Sequence, residues 1–378
     1  MRKQQFTKKQ HYVSQGLLRL FSEDDTHIYE CLTRDRRIYK TNIANAMEER
    51  DTYEYPLLKE NTLENAFADI EAAFIPQVCS IVADVDLTGG NATDIYKRVS
   101  ALFEIFLLFY YRSGAVLSEF SYGIEDTEVK KRLRIRRLLE VITTRAYLTE
   151  LANSLRCGYS FSILYSAEGQ FIISDQYIST VALAYKNQFM NTSNRSIGMT
   201  DTMILLPLSS SFYIALFHGK APSYIKANQV CELTPNEVFE INRIIYQNSF
   251  NKCAAPKASI LEALSKEKYS FHGATQVFFE TGGYTNKKEI FFYPQDAEIW
   301  MNFMQYAVTY KELKSRVGKS HMRNIGCPCG SGKKFKICCL GKYERAFLAI
   351  EETQQKVQPS YHIPGCIAEM PIYEFWHE

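Results

Sequence analysis

Long hydrophobic runs, an excess of one charge and the familiar nucleotide and hydrolase signatures are all missing from this sequence. The most apolar run, Ala101 to Tyr111, is closed by Lys97 and Arg98 before it and by Arg112 after it. It falls short of the roughly 18 residues a bilayer-spanning helix needs, so a buried helix and no membrane association are expected. Lys and Arg number 44 against 42 Asp and Glu, a net charge of +2, which excludes a surface that binds polyanions throughout. There is no Gly-x-x-x-x-Gly-Lys-Ser/Thr loop, no Gly-x-Ser-x-Gly elbow, no His-Glu-x-x-His pair and no dinucleotide fingerprint after a strand. ATPase, serine hydrolase and metalloprotease readings lose their footing. The opening Met1 to Gln10 is polar, with no apolar stretch behind its charged start, so no secretory signal and a cytoplasmic location are expected.

What is present is an ordinary globular composition, 46% hydrophobic and 23% charged over 378 residues, enough for two or three folding units at about 150 residues each. Leu17, Leu18 and Phe21 are spaced for a short amphipathic helix, and His27 to Leu32 and Arg37 to Asn42 read as a hairpin. Leu63, Phe67, Ile70, Phe74, Val78 and Ile81 recur at helical spacing behind Asn61, which with Glu64 resembles a capping box. Pro76 is expected to kink or end that helix near Phe74. Further helix is expected from Asp94 to Glu119 and from Thr127 to about Leu155, with breaks at Gly89-Gly90 and Tyr122-Gly123. From Tyr159 the texture turns to short β-rich runs at 160–165, 171–175, 203–209 and 212–217, with an exposed loop at 187–202. Helix returns at 235–246 and at 296–314. The pattern reads as α+β. A body over 1–310 is helical to 158, antiparallel and β-rich over 159–220 and helical over 221–310. A basic segment with a zinc hairpin follows at 311–342, then a C-terminal helix and tail at 343–378.

The most specific chemistry is Cys327-Pro-Cys329-Gly-Ser-Gly-Lys-Lys-Phe-Lys-Ile-Cys338-Cys339. Two close cysteine pairs joined by a turn deliver the four soft ligands of one structural zinc and leave no open position for a catalytic water. Gly330, Ser331 and Gly332 supply the turn, while Lys333, Lys334 and Lys336 offset the thiolate charge. The segment closely resembles the SEC-C motif, the small zinc hairpin at the C-terminus of the SecA translocase and of many otherwise unrelated bacterial proteins, over about residues 323 to 342. The resemblance implies a device for binding a protein or ribosomal partner. From Lys311 to Lys342 nine basic residues face Glu312 alone, so the remainder of the chain carries a net −6. Such asymmetry suits a local phosphate-binding or acidic-partner patch.

Gln10-His11-Tyr12-Val13 with Gln15 and the following Leu-Leu-x-x-Phe resembles the opening of a broad bacterial family of uncharacterised proteins. The likeness continues through Glu60-Asn61, Glu71, Phe171 to Asp175 and Leu206 to Ser209, over about residues 8 to 255, and implies architecture without an activity. Where that family tends to carry proline, this chain has Ser14 and Tyr177. Asp175 ends a strand-like run, Glu64 and Glu71 share a helix face, and Glu60 precedes it. With His11, these carboxylates could hold Mg²⁺ or Mn²⁺ for phosphodiester hydrolysis, which makes His11, Glu60, Glu71 and Asp175 the candidate catalytic set. Lys130 to Arg137 holds six basic residues in eight, so Lys130, Lys131 and Arg134 join Lys333, Lys334 and Lys336 as candidate nucleic-acid contacts. Ion pairing with Glu125, Asp126 and Glu128 is the plainer account of that run. The leading expectation is a cytosolic bacterial effector or adaptor, recruited through the zinc hairpin in stress or phage defence. A metal-dependent nuclease and a ribosome-associated factor are the alternatives.

Overall fold

The apolar periodicities close into two hydrophobic cores in the computed structural model, one drawing on residues from Val13 to Leu264 and one on residues from Ala307 to Phe347. The structure describes residues 9–50, 62–114, 116, 125–143, 146–183, 197–198, 200–267, 275–278, 284–287 and 302–355. Glu60, Asn61, the Tyr122-Gly123 break, most of the 187–202 loop, the start of the 296–314 helix and the tail beyond 355 lie outside them.

The chain opens with β1 (Lys9–His11) and α1 (Gln15–Arg19). Ser14 caps α1, its hydroxyl accepting from the Leu17 amide at 3.3 Å, and Leu17, Leu18 and Phe21 are buried as their spacing predicts. The expected hairpin is present: β2 (His27–Leu32) pairs antiparallel with β3 (Arg37–Asn42). The short β4 (Glu48–Arg50) then returns against β1, placing Glu48 opposite His11.

Helix α2 (Thr62–Ala83) buries Leu63, Phe67, Phe74, Val78 and Ile81 on one face. It runs through Pro76 instead of ending there. Proline removes one backbone bond, but Gln77 Nε2 donates to the Ala73 carbonyl at 2.8 Å beside the gap, and buried side chains on both sides hold the helix to the core. Among the described residues α2 is the one helix long and apolar enough to cross a bilayer. Its outer face owes that composition to Ala68, Ala72, Ala73, Pro76 and Cys79.

Helices α3 (Ala92–Ala101), α4 (Phe103–Tyr111), α5 (Thr127–Thr143) and α6 (Ala146–Gly158) complete the helical half. The single helix expected from Asp94 breaks at Leu102. Helix α4 is buried from Phe106 to Tyr111, and Phe74 of α2 meets Phe106 and Phe109 edge-on at 5.1 and 5.2 Å.

The β-rich middle builds two sheets. One has the order β10-β5-β9-β8-β7, from β5 (Ser160–Tyr165), β7 (Ser179–Ala182), β8 (Thr202–Pro207), β9 (Phe212–Phe217) and β10 (Val230–Glu232). Its pairings are antiparallel except for β10 against β5. Strands β8 and β9 are buried along their whole length, hence their unbroken apolar sequence. The second sheet, β3-β2-β11-β6, joins the N-terminal hairpin to β6 (Ile173–Ser174) and β11 (Lys252–Ala255). Helix α7 (Pro235–Asn248) starts at a Thr234/Glu237 capping box, and α8 (Ala258–Lys266) follows β11. A further pair, β12 (Thr275–Phe278) and β13 (Tyr284–Lys287), is antiparallel.

The C-terminal part is helical around the cysteine hairpin, with α9 (Phe303–Met322) kinked at Gly318 and α10 (Leu340–Gln355). Tyr306 stacks on Tyr343 at 4.3 Å and Phe335 meets Tyr343 edge-on at 5.2 Å, over buried Met322.

Candidate zinc centre and N-terminal pocket

The cysteine hairpin folds as its turn residues require. Cys327 donates its amide to the Lys333 carbonyl at 2.8 Å, and between them Gly330 and Gly332 take φ of 76° and 72°, values that cost a glycine little. A short 3-10 turn, Phe335–Ile337, delivers Cys338 and Cys339 back to the first pair. The Sγ separations are 3.3 Å for Cys327–Cys329, 3.6 Å for Cys329–Cys338 and 3.6 Å for Cys338–Cys339, and all four sulfurs lie within 4.8 Å of one another. Sulfurs about 2.3 Å from a tetrahedral zinc stand roughly 3.8 Å apart, so the four thiols fit that ion. The thiols are unequal. The Ser331 hydroxyl and the Cys327 thiol hold Cys329 down at about 6, while burial pushes Cys327 and Cys339 up. A cation among them takes all four as thiolates. Lys333, Lys334 and Lys336 are exposed around the hairpin, and Ile337 is 68% exposed between them and Cys338.

In the body, His11 and Glu71 do meet. They line a pocket of about 150 Å³ with Gln15, Gly16, Glu64, Phe67, Ala68 and Arg112. Gly16 lets α1 approach α2, since a Cβ there would stand 2.8 Å from Ile75. Arg112, 1% exposed, ties the walls together: its Nε donates to the Tyr12 carbonyl at 3.1 Å and its Nη2 to Glu71 Oε1 at 2.5 Å. Phe67 and Phe109 flank the guanidinium at 4.7 and 4.5 Å. His11 Nε2 lies 3.3 Å from the Ala44 carbonyl. Burial pulls the His11 imidazole below its ordinary range, outweighing that contact and the charges of Glu48 and Glu71, and Arg112 adds to the depression. Arg112 enters the sequence reading only as the end of an apolar run. An arginine closing so apolar a stretch is the signal that could have marked it.

Asp175 is not among the residues lining this pocket. It is 3% exposed, and its carboxylate accepts from the amides of Phe250, Asn251 and Lys252 at 2.8, 2.7 and 3.1 Å. It clamps the turn that leads into β11. Two residues on, Tyr177 takes φ of 66°, and its hydroxyl accepts from the Ser14 amide at 3.3 Å. The two positions where the resembled family tends to have proline are thus in contact: Ser14 has an N–H that proline lacks, and Tyr177 supplies its acceptor.

On α5, Lys130, Lys131 and Arg134 are half-buried, and Arg134 Nε is sheltered from solvent without a hydrogen-bond partner among the described residues. Among the described side chains of that run, the exposed cations are Arg132 and Arg136.

No curated protein and no solved structure matches the chain. A SEC-C motif matches residues 323–341, which contain all four cysteines of the cluster. A family described as protein of unknown function (DUF4238) matches residues 9–258, the span that holds both large sheets and the His11 pocket. With more than half of its length inside that match, the chain belongs to the DUF4238 family and carries, beyond the family's body, a SEC-C motif whose four cysteines can bind a metal.

Proposed function

We propose that this chain is a cytosolic bacterial effector or adaptor, docked onto its partner by the C-terminal zinc hairpin, with the DUF4238 body as the part delivered. The observation that carries this reading is the cluster of four sulfurs beneath exposed Lys333, Lys334, Lys336 and Ile337. Four protein thiolates close the coordination shell of zinc, so the ion fixes shape instead of handling substrate. The fixed turn carries exposed Lys333, Lys334, Lys336 and Ile337 on a segment whose positive charge the rest of the chain does not share, and this suits an acidic protein face or a phosphate backbone. A metal-dependent nuclease keeps one support, the pocket shared by His11 and Glu71. It lacks the Asp175 corner, so recruitment is the stronger reading.

The test reverses the charge of Lys333, Lys334 and Lys336 to Glu with the cysteines intact, and follows the full-length chain by cross-linking and by co-sedimentation with ribosomes. Elemental analysis is expected to give one zinc per chain in both proteins, while partner capture, and any protection of a bacterial host from phage or stress, is lost in the variant. Salt-sensitive co-sedimentation would identify the ribosome or another nucleic acid, and salt-resistant cross-links a protein. Capture unchanged in the variant would refute the reading.

A further inference from the structure

Thiolates are the groups that a peroxide attacks, and the four that fix the docking hairpin differ in exposure. Cys327 is 7% exposed, Cys338 and Cys339 are half-buried and Cys329 is exposed, so an oxidant arriving from water meets Cys329 first. The neighbouring sulfurs are not equivalent as its partner. Cys327 Sγ lies 3.3 Å away, but Cys327 is anchored by its amide to the Lys333 carbonyl, and a bridge would close over Pro328 alone, whose φ is fixed. Cys339 is held at the start of α10, where its carbonyl accepts from the Lys342 and Tyr343 amides at 3.0 and 3.1 Å. A bridge between it and Cys338 would force their shared peptide out of plane. Cys338 Sγ lies 3.6 Å from Cys329 Sγ, across nine positions of sequence. That bridge closes the turn that Gly330 and Gly332 already fold, and it strains no short ring.

We infer that Cys329 and Cys338 are an oxidation site, which hydrogen peroxide joins in a disulfide with expulsion of the zinc. The site rests on the zinc-hairpin reading and adds its regulation. The Cys329 thiolate attacks a peroxide oxygen; the S–O bond forms, the O–O bond breaks and hydroxide leaves. The Cys338 thiolate then attacks the Cys329 sulfur; the S–S bond forms, the S–O bond breaks and a second hydroxide leaves. The two thiolates give up an electron pair to the peroxide, and solvent protons turn both hydroxides into water. Cys327 and Cys339 are left as half of the shell that zinc needs, so the ion departs and the hairpin loses the shape on which docking depends.

The experiment treats the full-length, zinc-loaded chain, with Cys79, Cys157 and Cys366 replaced by Ser, with hydrogen peroxide. A chromogenic chelator reads released zinc, and alkylation followed by peptide mass spectrometry reads the bridge. The four ligands stay intact, because a variant of any of them loses metal on its own account. One zinc is expected to be released for each Cys329–Cys338 disulfide formed, with Cys327 and Cys339 still open to alkylation, and dithiothreitol with added zinc restores the starting state. Zinc retained at millimolar peroxide, a bridge between any other pair, or release with sulfinic acid and no bridge would each overturn the inference while leaving the docking reading in place. Release with the expected bridge, from a reduced chain that captures no partner, would support the oxidation site and refute docking. A reduced chain that holds no zinc would overturn both.

Discussion

Asp175 shows how a carboxylate that reads as a ligand can be consumed by the backbone. Burial pushes its carboxyl up to about 6, against the opposing pull of three amides and of the Lys252 charge. An unfolded aspartate titrates near 3.9, so between about pH 4 and 6 the folded chain binds more protons at this site than the unfolded chain does. The group's contribution to stability is therefore greatest at the acid end of that window and falls as pH rises through it, at a rate approaching 1.4 kcal/mol per pH unit. Urea unfolding of the wild type and of Asp175→Asn across pH 4 to 7 reads this directly, because the difference between the two cancels every other titration, including that of the cysteines. The difference curve is expected to decline through the window; a flat or rising curve would mean that the three amides outweigh burial.

At the scale of elements, Arg112 joins β1, α2 and α4 through partners 100 and 41 positions away in sequence. Removing one member of a buried ion pair leaves the other charge uncompensated, whereas replacing both with apolar groups of similar volume is far milder. Arg112→Met alone is expected to cost about 3 kcal/mol in urea unfolding, and the double variant Arg112→Met with Glu71→Leu to cost much less than the sum of the two single changes. Additive losses would show that the guanidinium acts through Tyr12 and the rings instead of through Glu71. The same distances explain what the sequence did and did not disclose. The buried face of α2, the β2–β3 hairpin, the apolar β8 and β9 and the cysteine hairpin are written in local spacing, and each is legible. The union of β2 with β11 and β6, the passage of α2 through Pro76 and the pairing of Arg112 with Glu71 depend on packing between distant segments, which no local window contains. His11 and Glu71 were legible as residue types; their meeting was not, and neither was the removal of Asp175 from their company.

For the whole molecule, the inequality of the two cores sets the order of unfolding. The body's core gathers buried side chains from Val13 to Leu264, while the second core draws on the short span from Ala307 to Phe347 and includes Cys327 itself. A core that small rarely suffices without a staple, and metal binding there is folding free energy. Phe335 and Met322 are wholly buried between segments that the four cysteines bring together, so an ion bound by those cysteines would also keep these side chains out of water. Treating the full-length chain with a strong zinc chelator is therefore expected to abolish amide protection from hydrogen exchange across 302–355 while leaving that of α2, α4, β8 and β9 unchanged. Readdition of zinc should restore it. If protection in the body collapses together with that of the hairpin, the two cores form one cooperative unit and zinc governs the stability of the whole chain; if neither changes, the aromatic stack of Tyr306, Phe335 and Tyr343 holds the second core without the metal.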